Sequence, residues 1–559
     1  MPKLKLGHAL RILRRGRRLL INRVRLRHTG LDYLTLTLPA AMPALPEDRN
    51  WFLRRVQGEP PISLWELDEI FTRIGADPRV RGVVLTLRGL SMSLADLQTL
   101  RGSIQRLRAR GKRVICHAQS YDLATYYVAS AADQLLLQPG GDVSPLGLHQ
   151  EAVFLKDALA QIGVALDVVA ISPYKGAFDQ FSRGDVSPEG REQLEWLIDS
   201  RYEQLIAGIA EGRKRSADEV RRMIDTAPHI DTDALAAGYV DGVVHEEGLY
   251  KHLGSEHVIP FADARKRLLL PPIKPPSEKY VAVLKVTGLM VPGESGAPPV
   301  DLPIPFIGGE RAGDVTVVQQ VRALMKDEAA AAVVLFIDSG GGAAIAAEAM
   351  TSALEELAKT RPLVVYMNAV AASGGYYIAT PAQHIVAQPG TITGSIGVVT
   401  AKPVTGGLRD LLRVKAFELM RGANANLYVD SRPFTEAQRA QVRRIIEASY
   451  QRFVERVARG RKLTPEAVDA VGGGRVWTGA QAFGQGLVDE LGDLRAAIKK
   501  ARELAQLPES APVAVVGGKV KNLPPQLAET VVPAARYALH NARHITNGKA
   551  QAILPFSLQ

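Results

Sequence analysis

The chain has 559 residues, of which 46% are hydrophobic and 23% charged, ordinary values that exclude a disordered, collagenous or coiled-coil chain overall. Its one cysteine, Cys116, excludes an internal disulfide and any zinc site built on two or four cysteines. The net charge is +11, but residues 1–30 hold ten lysines and arginines and no acid, so the rest of the chain carries only +1; the charge marks a basic arm, and no nucleic-acid partner is expected.

That arm (1–30) comes first in chain order. Leu6, Leu10, Leu13, Leu20 and Val24 form one apolar stripe at helical spacing, weakened by Gly16. A basic helix with such a stripe can lie on an anionic membrane surface. Arginines interrupt every apolar run, and none reaches the ~18 residues of a membrane span or the roughly 7–15 of a secretory signal core. The expectation is a peripheral membrane-associated or cytoplasmic protein. A first repeat (31–265) follows, with buried strands predicted at 83–87 and 113–117. Lys175 lies in it, in the uncharged run Pro173-Tyr174-Lys175-Gly176-Ala177-Phe178. A proline-rich linker (266–278) precedes a second repeat (279–510), with strands predicted at 333–337 and 363–367 and helices at 346–359 and 436–459. The tail (511–559) is weakly patterned. Alternating strands and helices predict an α/β architecture with mostly parallel sheets.

The repeats share a constant offset. Arg81-Gly-Val-Val-Leu-Thr-Leu87 resembles Ala331-Ala-Val-Val-Leu-Phe-Ile337, Tyr126-Tyr-Val-Ala129 matches Tyr376-Tyr-Ile-Ala379, and Gln138-Pro139 matches Gln388-Pro389, all 250 residues apart. Gly238-Tyr-Val-Asp241 matches Gly486-Leu-Val-Asp489 at 248. Register held over several motifs indicates a duplication.

The chemistry differs between the copies. In the second, the strand at 363–367 leads into Ala371-Ala-Ser373-Gly374-Gly375, a turn that presents a serine; the alternative for Ser373 is a helix N-cap. Asp338-Ser-Gly-Gly-Gly342 follows the neighbouring strand. Parallel strands place both turns on one carboxyl edge, where a nucleophile and an oxyanion-binding loop can share a crevice. In the first copy these positions read Leu123, Ser91 and Met92, whereas Lys175 corresponds to Ala425 in the second. One repeat offers the serine, the other the lysine. A lysine among apolar neighbours has a lowered pKa and can deprotonate a serine without histidine, although most single lysines are solvated. His384 falls about three helical turns from Ser373, too far for a base. No zinc-protease or phosphate-loop motif occurs, and no cofactor or metal is expected.

Ala371-Ala-Ser-Gly-Gly-Tyr-Tyr-Ile-Ala379, Ile392-Thr-Gly-Ser-Ile-Gly397, Gly474-Arg-Val-Trp-Thr-Gly479, Gly486-Leu-Val-Asp489 and Tyr174-Lys175 resemble the signal peptide peptidase A (protease IV) family in its long double-repeat form, over about residues 40–505. The resemblance implies two tandem ClpP/crotonase-like repeats and a membrane-linked serine endopeptidase with a Ser–Lys dyad. Its substrates would be peptides such as signal-peptide remnants, and its assembly a homotetramer. It also implies Ser373 as nucleophile, Lys175 as general base, Ser395 as the serine that holds the lysine, and the backbone N–H groups of Gly342 and Gly374 as the oxyanion hole. The family's glycine turn usually carries a proline that is absent here, and its long form usually carries an N-terminal membrane span that this arm does not match. Two other readings share the fold: a crotonase-type acyl-CoA enzyme and a non-catalytic membrane-associated scaffold.

Overall fold

The structure, a computed structural model, describes residues 2–27, 30–47, 54–55, 58–272, 277–296, 309–516 and 551–553. Its strands are, in chain order, β1 (Tyr33–Thr37), β2 (Gly82–Leu87), β3 (Arg113–Asp122), β4 (Gln134–Ser144), β5 (Ala165–Ala170), β6 (His229–Ile230), β7 (Gly242–Val243), β8 (Val258–Pro260), β9 (Tyr280–Thr287) and β10 (Leu289–Val291). They continue as β11 (Arg311–Gly313), β12 (Ala330–Ser339), β13 (Gly341–Ala343), β14 (Leu363–Ala372), β15 (His384–Ala387), β16 (Ile392–Gly394), β17 (Val399–Val404), β18 (Val476–Thr478), β19 (Glu490–Leu491), β20 (Val513–Val516) and β21 (Gln551–Ile553). All four predicted strands are present, extended at one or both ends, and the two predicted helices run Ala344–Thr360 and Glu436–Arg461.

Contacts divide the chain into two units: Met1–Leu148 with Arg201–Pro276, and His149–Ser200 with Ser277–Gln559. In the first, β8-β1-β2-β3-β4 form a parallel ladder, extended by β7 parallel and β6 antiparallel to β4. In the second, β20-β9-β12-β14 are parallel, followed by β15 with β19 and by β16 with antiparallel β18. The strand order is the same in both, as a duplication requires. The central strands are almost wholly buried because their runs, such as Ala332-Val-Val-Leu-Phe-Ile337, are apolar on both faces, the signature of a parallel sheet covered on both sides. The helix Leu494–Leu504 covers β12 and β14 with Leu494, Ala497, Ile498 and Ala501, a stripe at the spacing of one helical face.

Two sequence readings change in detail. The arm is a helix over Pro2–Leu26, unbroken at Gly16. Its second half is fastened within the first unit: Arg18 donates to the Pro271 carbonyl (2.7 Å), and Asn22 both donates to and accepts from the Leu270 backbone (3.0 and 2.8 Å). Leu20 and Val24 stay 64% and 50% exposed; the side chains of Leu6, Leu10 and Leu13 lie outside the described residues. The tail, unpatterned on average, begins with Val513-Ala-Val-Val516, and this short β-branched run joins the sheet as β20 beside β9. No helix among the described residues is long and apolar enough to cross a membrane.

Candidate active site

The second unit carries a second sheet, ordered β11-β10-β13-β21-β17-β5. It brings the segment 149–200 against the serine-bearing core. β5 pairs antiparallel with β17 along six residues, from Ala165↔Val404 to Ala170↔Val399, and Ile171 N–H continues the ladder to the Val398 carbonyl (3.0 Å). Further along, Gln193 accepts from Val476 N–H (2.8 Å), and Trp196 donates to the Val476 carbonyl (2.8 Å) and stacks on Trp477 at 4.9 Å between ring centroids. Trp477 is thereby a packing residue. Lys175 sits between these two attachments.

Ser373 follows β14 with φ 56° and ψ −115° and makes no side-chain cap hydrogen bond, so the N-cap reading does not hold. Its N–H donates to the Gly394 carbonyl (2.8 Å). A non-glycine residue in such a conformation costs on the order of 1–3 kcal/mol and persists only where its surroundings over-determine it. The equivalent turn of the first unit shows the unstrained alternative. There Asp122 caps an ordinary helix, Leu123–Ala129, by accepting from Thr125 N–H (2.7 Å), and Leu123 is buried.

Lys175 is 1% exposed, and Ser373 and Ser395 are 0% exposed. Its Nζ lies 2.7 Å from Ser373 Oγ, 2.8 Å from Ser395 Oγ and 2.9 Å from the Ser395 carbonyl oxygen. The surface-lysine reading is therefore overturned. Burial alone pushes its pKa well below the ordinary lysine value, with no carboxylate contributing. Asp179, the nearest acid in sequence, lies against Gly176 instead, and burial raises its own carboxyl pKa. Ser395, like Ser373, has a positive φ (50°); its N–H donates to the Arg475 carbonyl (2.6 Å).

Two glycines make room for the lysine. A Cβ on Gly474 would sit 2.7 Å from both Cβ and N of Lys175, and one on Gly397 would sit 3.2 Å from its Cδ. In the sequence both were only members of motifs; nothing in a linear reading says that these glycines face a residue so far away in the chain. Gly474→Ala adds a methyl group against backbone atoms at φ +92° and is expected to displace Lys175. Peptide hydrolysis should fall by about 100-fold, chiefly in kcat, while the chain stays folded; unchanged steady-state kinetics would contradict the packing role.

The glycine turn between β12 and β13 is held without proline. Asp338 is half-buried in an enclosed setting whose desolvation raises its pKa, and it accepts from Asn368 Nδ2 (2.8 Å) and Val370 N–H (3.2 Å). Ser339 Oγ donates to the Gly288 carbonyl (2.6 Å) and accepts from Gly341 N–H (3.1 Å). Gly342 has no space for a side chain, since a Cβ would meet the Met290 carbonyl oxygen at 2.1 Å. A Cβ on Gly374 would lie 3.3 Å from Gly342 N, which puts the two glycines side by side next to Ser373. Gly374 opens a helical turn, Gly374–Tyr377, where the first N–H has no intrahelical partner. All five residues singled out from sequence thus converge on one buried locus. His384 instead contacts Glu490 (2.9 Å) and His117 the Val244 carbonyl (2.9 Å). No group of three or more His, Cys, Asp or Glu that could hold a metal ion occurs among the described residues.

Peptidase family S49 matches the chain twice, at residues 106–258 and 355–508. Over 449 residues the chain is 31% identical to Protease 4 of Haemophilus influenzae, covering 77% of this chain and 71% of that protein. The chain belongs to peptidase family S49. It is also 29% identical to the chloroplastic serine protease SPPA of Arabidopsis thaliana (81% of this chain, 68% of that one) and 29% identical to Protease 4 of Salmonella typhi (80% and 72%). This S49 chain is a serine endopeptidase with two tandem family domains, in agreement with the resemblance read from its motifs. The first match contains Lys175 and the second contains Ser373 and Ser395.

Proposed function

We propose that this endopeptidase works through a Ser–Lys dyad, with Ser373 as nucleophile and Lys175 as general base. The observation that carries the reading is the 2.7 Å approach of Lys175 Nζ to Ser373 Oγ within a buried pocket. A neutral amine has two N–H donors and one lone pair. The donors suit the Ser395 carbonyl and Oγ, and the lone pair faces the Ser373 hydroxyl. An ammonium would also find three acceptors there, so it is burial, by penalising the charge, that favours the base form.

Ser373 Oγ attacks the scissile carbonyl carbon as Lys175 takes the hydroxyl proton. The resulting oxyanion is received by the N–H groups of Gly342 and Gly374. Lys175 then passes the proton to the departing amide nitrogen as the C–N bond breaks. Water, deprotonated by the same amine, hydrolyses the acyl-serine and restores the enzyme. Ser395 fixes the direction of the lysine lone pair. A serine-reactive fluorophosphonate should label wild type and not Ser373→Ala, and casein cleavage should follow the label; labelling at another serine would move the nucleophile elsewhere.

The substrates in this reading are peptides such as signal-peptide remnants, cleaved at or near a membrane by a homotetramer. The motif resemblance supports the substrate class. The basic helix supports the location, with its exposed Leu20 and Val24. Attraction of up to about 1 kcal/mol per basic residue makes binding to phosphatidylglycerol-containing vesicles salt-dependent, whereas phosphatidylcholine vesicles bind weakly. Equal sedimentation with both vesicle types would remove the role assigned to the arm.

A further inference from the structure

Beyond Ile171, where the ladder with β17 ends, side chains take over the attachment of the lysine segment. Ser172 Oγ donates to the Gly473 carbonyl. The Tyr174 ring meets two partners, the Arg475 guanidinium 4.1 Å from its centroid and Trp196 stacked at 5.9 Å, and its hydroxyl donates to Glu192 (2.6 Å). Arg475 also donates to the Gly472 carbonyl (3.1 Å), while Gly473 N–H donates to the Tyr450 hydroxyl (2.9 Å), which itself donates to Asp469. These contacts border a pocket of about 320 Å³, lined by residues 171–174 with Tyr450, Asp469, Gly473 and Arg475. It has room for several waters and polar groups to hold them. Lys175 and Gly474 are the next residues inward; neither lines the pocket, and Lys175 is 1% exposed. Because Gly474 packs directly on Lys175 N and Cβ, a wall one residue thick separates the pocket from the lysine.

We propose that the Tyr174–Arg475 stack closes this wall and keeps pocket water from Lys175, which makes Tyr174 and Arg475 positioning residues of the dyad; this rests on the assignment of Lys175 as base above. A buried amine stays uncharged only while water is kept from it, because hydration restores the charged form. An arginine on an aromatic face gives a close, planar contact suited to closing a seam between two segments. The amine's own hydrogen bonds go to Ser373 and Ser395, so both residues act through the wall and not on the proton. The other titratable groups around the segment are engaged elsewhere: Glu192 with Tyr174, Tyr450 with Asp469, and Asp179 beside Gly176. Arg475 is thus the one cation of the wall, and its removal both opens the seam and takes away a positive charge.

The test is the pH profile of kcat/KM for casein cleavage in the full chain, with competent sites counted by fluorophosphonate labelling at the alkaline end. Tyr174→Ala and Arg475→Gln are expected to move the apparent pKa of the rising limb up by about one pH unit. Activity then falls about tenfold at neutral pH and returns to within about threefold of wild type on the alkaline plateau. Tyr174→Ala leaves every charge in place, so its shift reports water and not the arginine's charge. Tyr174→Phe keeps the ring and should keep the wild-type profile. Two variants on opposite sides of the seam keep the test decisive where one folds poorly. Loss by the same factor at every pH, or apparent pKa values within about 0.3 pH unit of wild type in both, would overturn the proposal. A wild-type limb that the variants leave unmoved sinks only the wall, whereas a wild type with no rising limb sinks the base.

Discussion

Ser373→Ala is expected to lower kcat for peptide hydrolysis by roughly 10⁴-fold or more, with KM changed only a few-fold. The hydroxyl is the only group lost, and alanine meets the same backbone demand at φ 56° that serine already meets. Lys175 keeps its two contacts to Ser395, so no charge is left newly unpaired in the pocket. The thermal midpoint should therefore stay within a few degrees of wild type, because losing one buried hydrogen bond costs about 1 kcal/mol. Measured together, kcat and the melting curve separate a chemical role from a structural one. Retention of more than about 1% of wild-type kcat would exclude Ser373 as the nucleophile.

The strands around this serine were legible because they are buried on both faces. Runs such as 333–337 are apolar without alternation, and the 250-residue offset supplied a second, independent copy of each. The same offset exposed the reciprocal loss, Leu123 for Ser373 and Ala425 for Lys175, which singled out two residues whose individual signals were weak. What stayed hidden depends on tertiary packing. Nothing local indicates that 149–200, continuous in sequence with the first repeat, packs with the serine-bearing unit. That follows from the β5–β17 ladder and the Trp196–Trp477 stack, both of which join residues far apart in sequence. The positive φ of Ser373 and Ser395 is likewise invisible, since serine carries no conformational preference for that region. The glycine turn lacks the proline that the family usually carries there. Hydrogen bonds accepted by Asp338 and donated by Ser339 hold the turn instead, and such bonds cannot be seen before the partners are brought together.

Lys175→Arg is expected to be nearly as inactive as Lys175→Ala, with kcat reduced by roughly 10³-fold or more, because a guanidinium stays protonated and has no lone pair to offer. In wild type, kcat/KM should rise with pH along a single ionisation whose apparent pKa lies below the ~10.4 of free lysine, since burial lowers that of Lys175. The same shift has a consequence for folding. Between the folded pKa and ~10.4 the unfolded chain binds a proton that the folded chain does not, so stability rises with pH across that window. Below the folded pKa the full cost of burying the charge is present; above ~10.4 it vanishes. Lys175→Met removes the titrating group, so the wild-type-minus-variant stability should climb by about 1.4 kcal/mol per pH unit within the window. Urea titrations at several pH values measure that slope. A flat difference would mean that Lys175 is solvated in the folded chain, and an active Lys175→Arg enzyme would mean that it supplies only charge or packing. Either result would remove the base proposed for Ser373 from its 2.7 Å contact with Lys175.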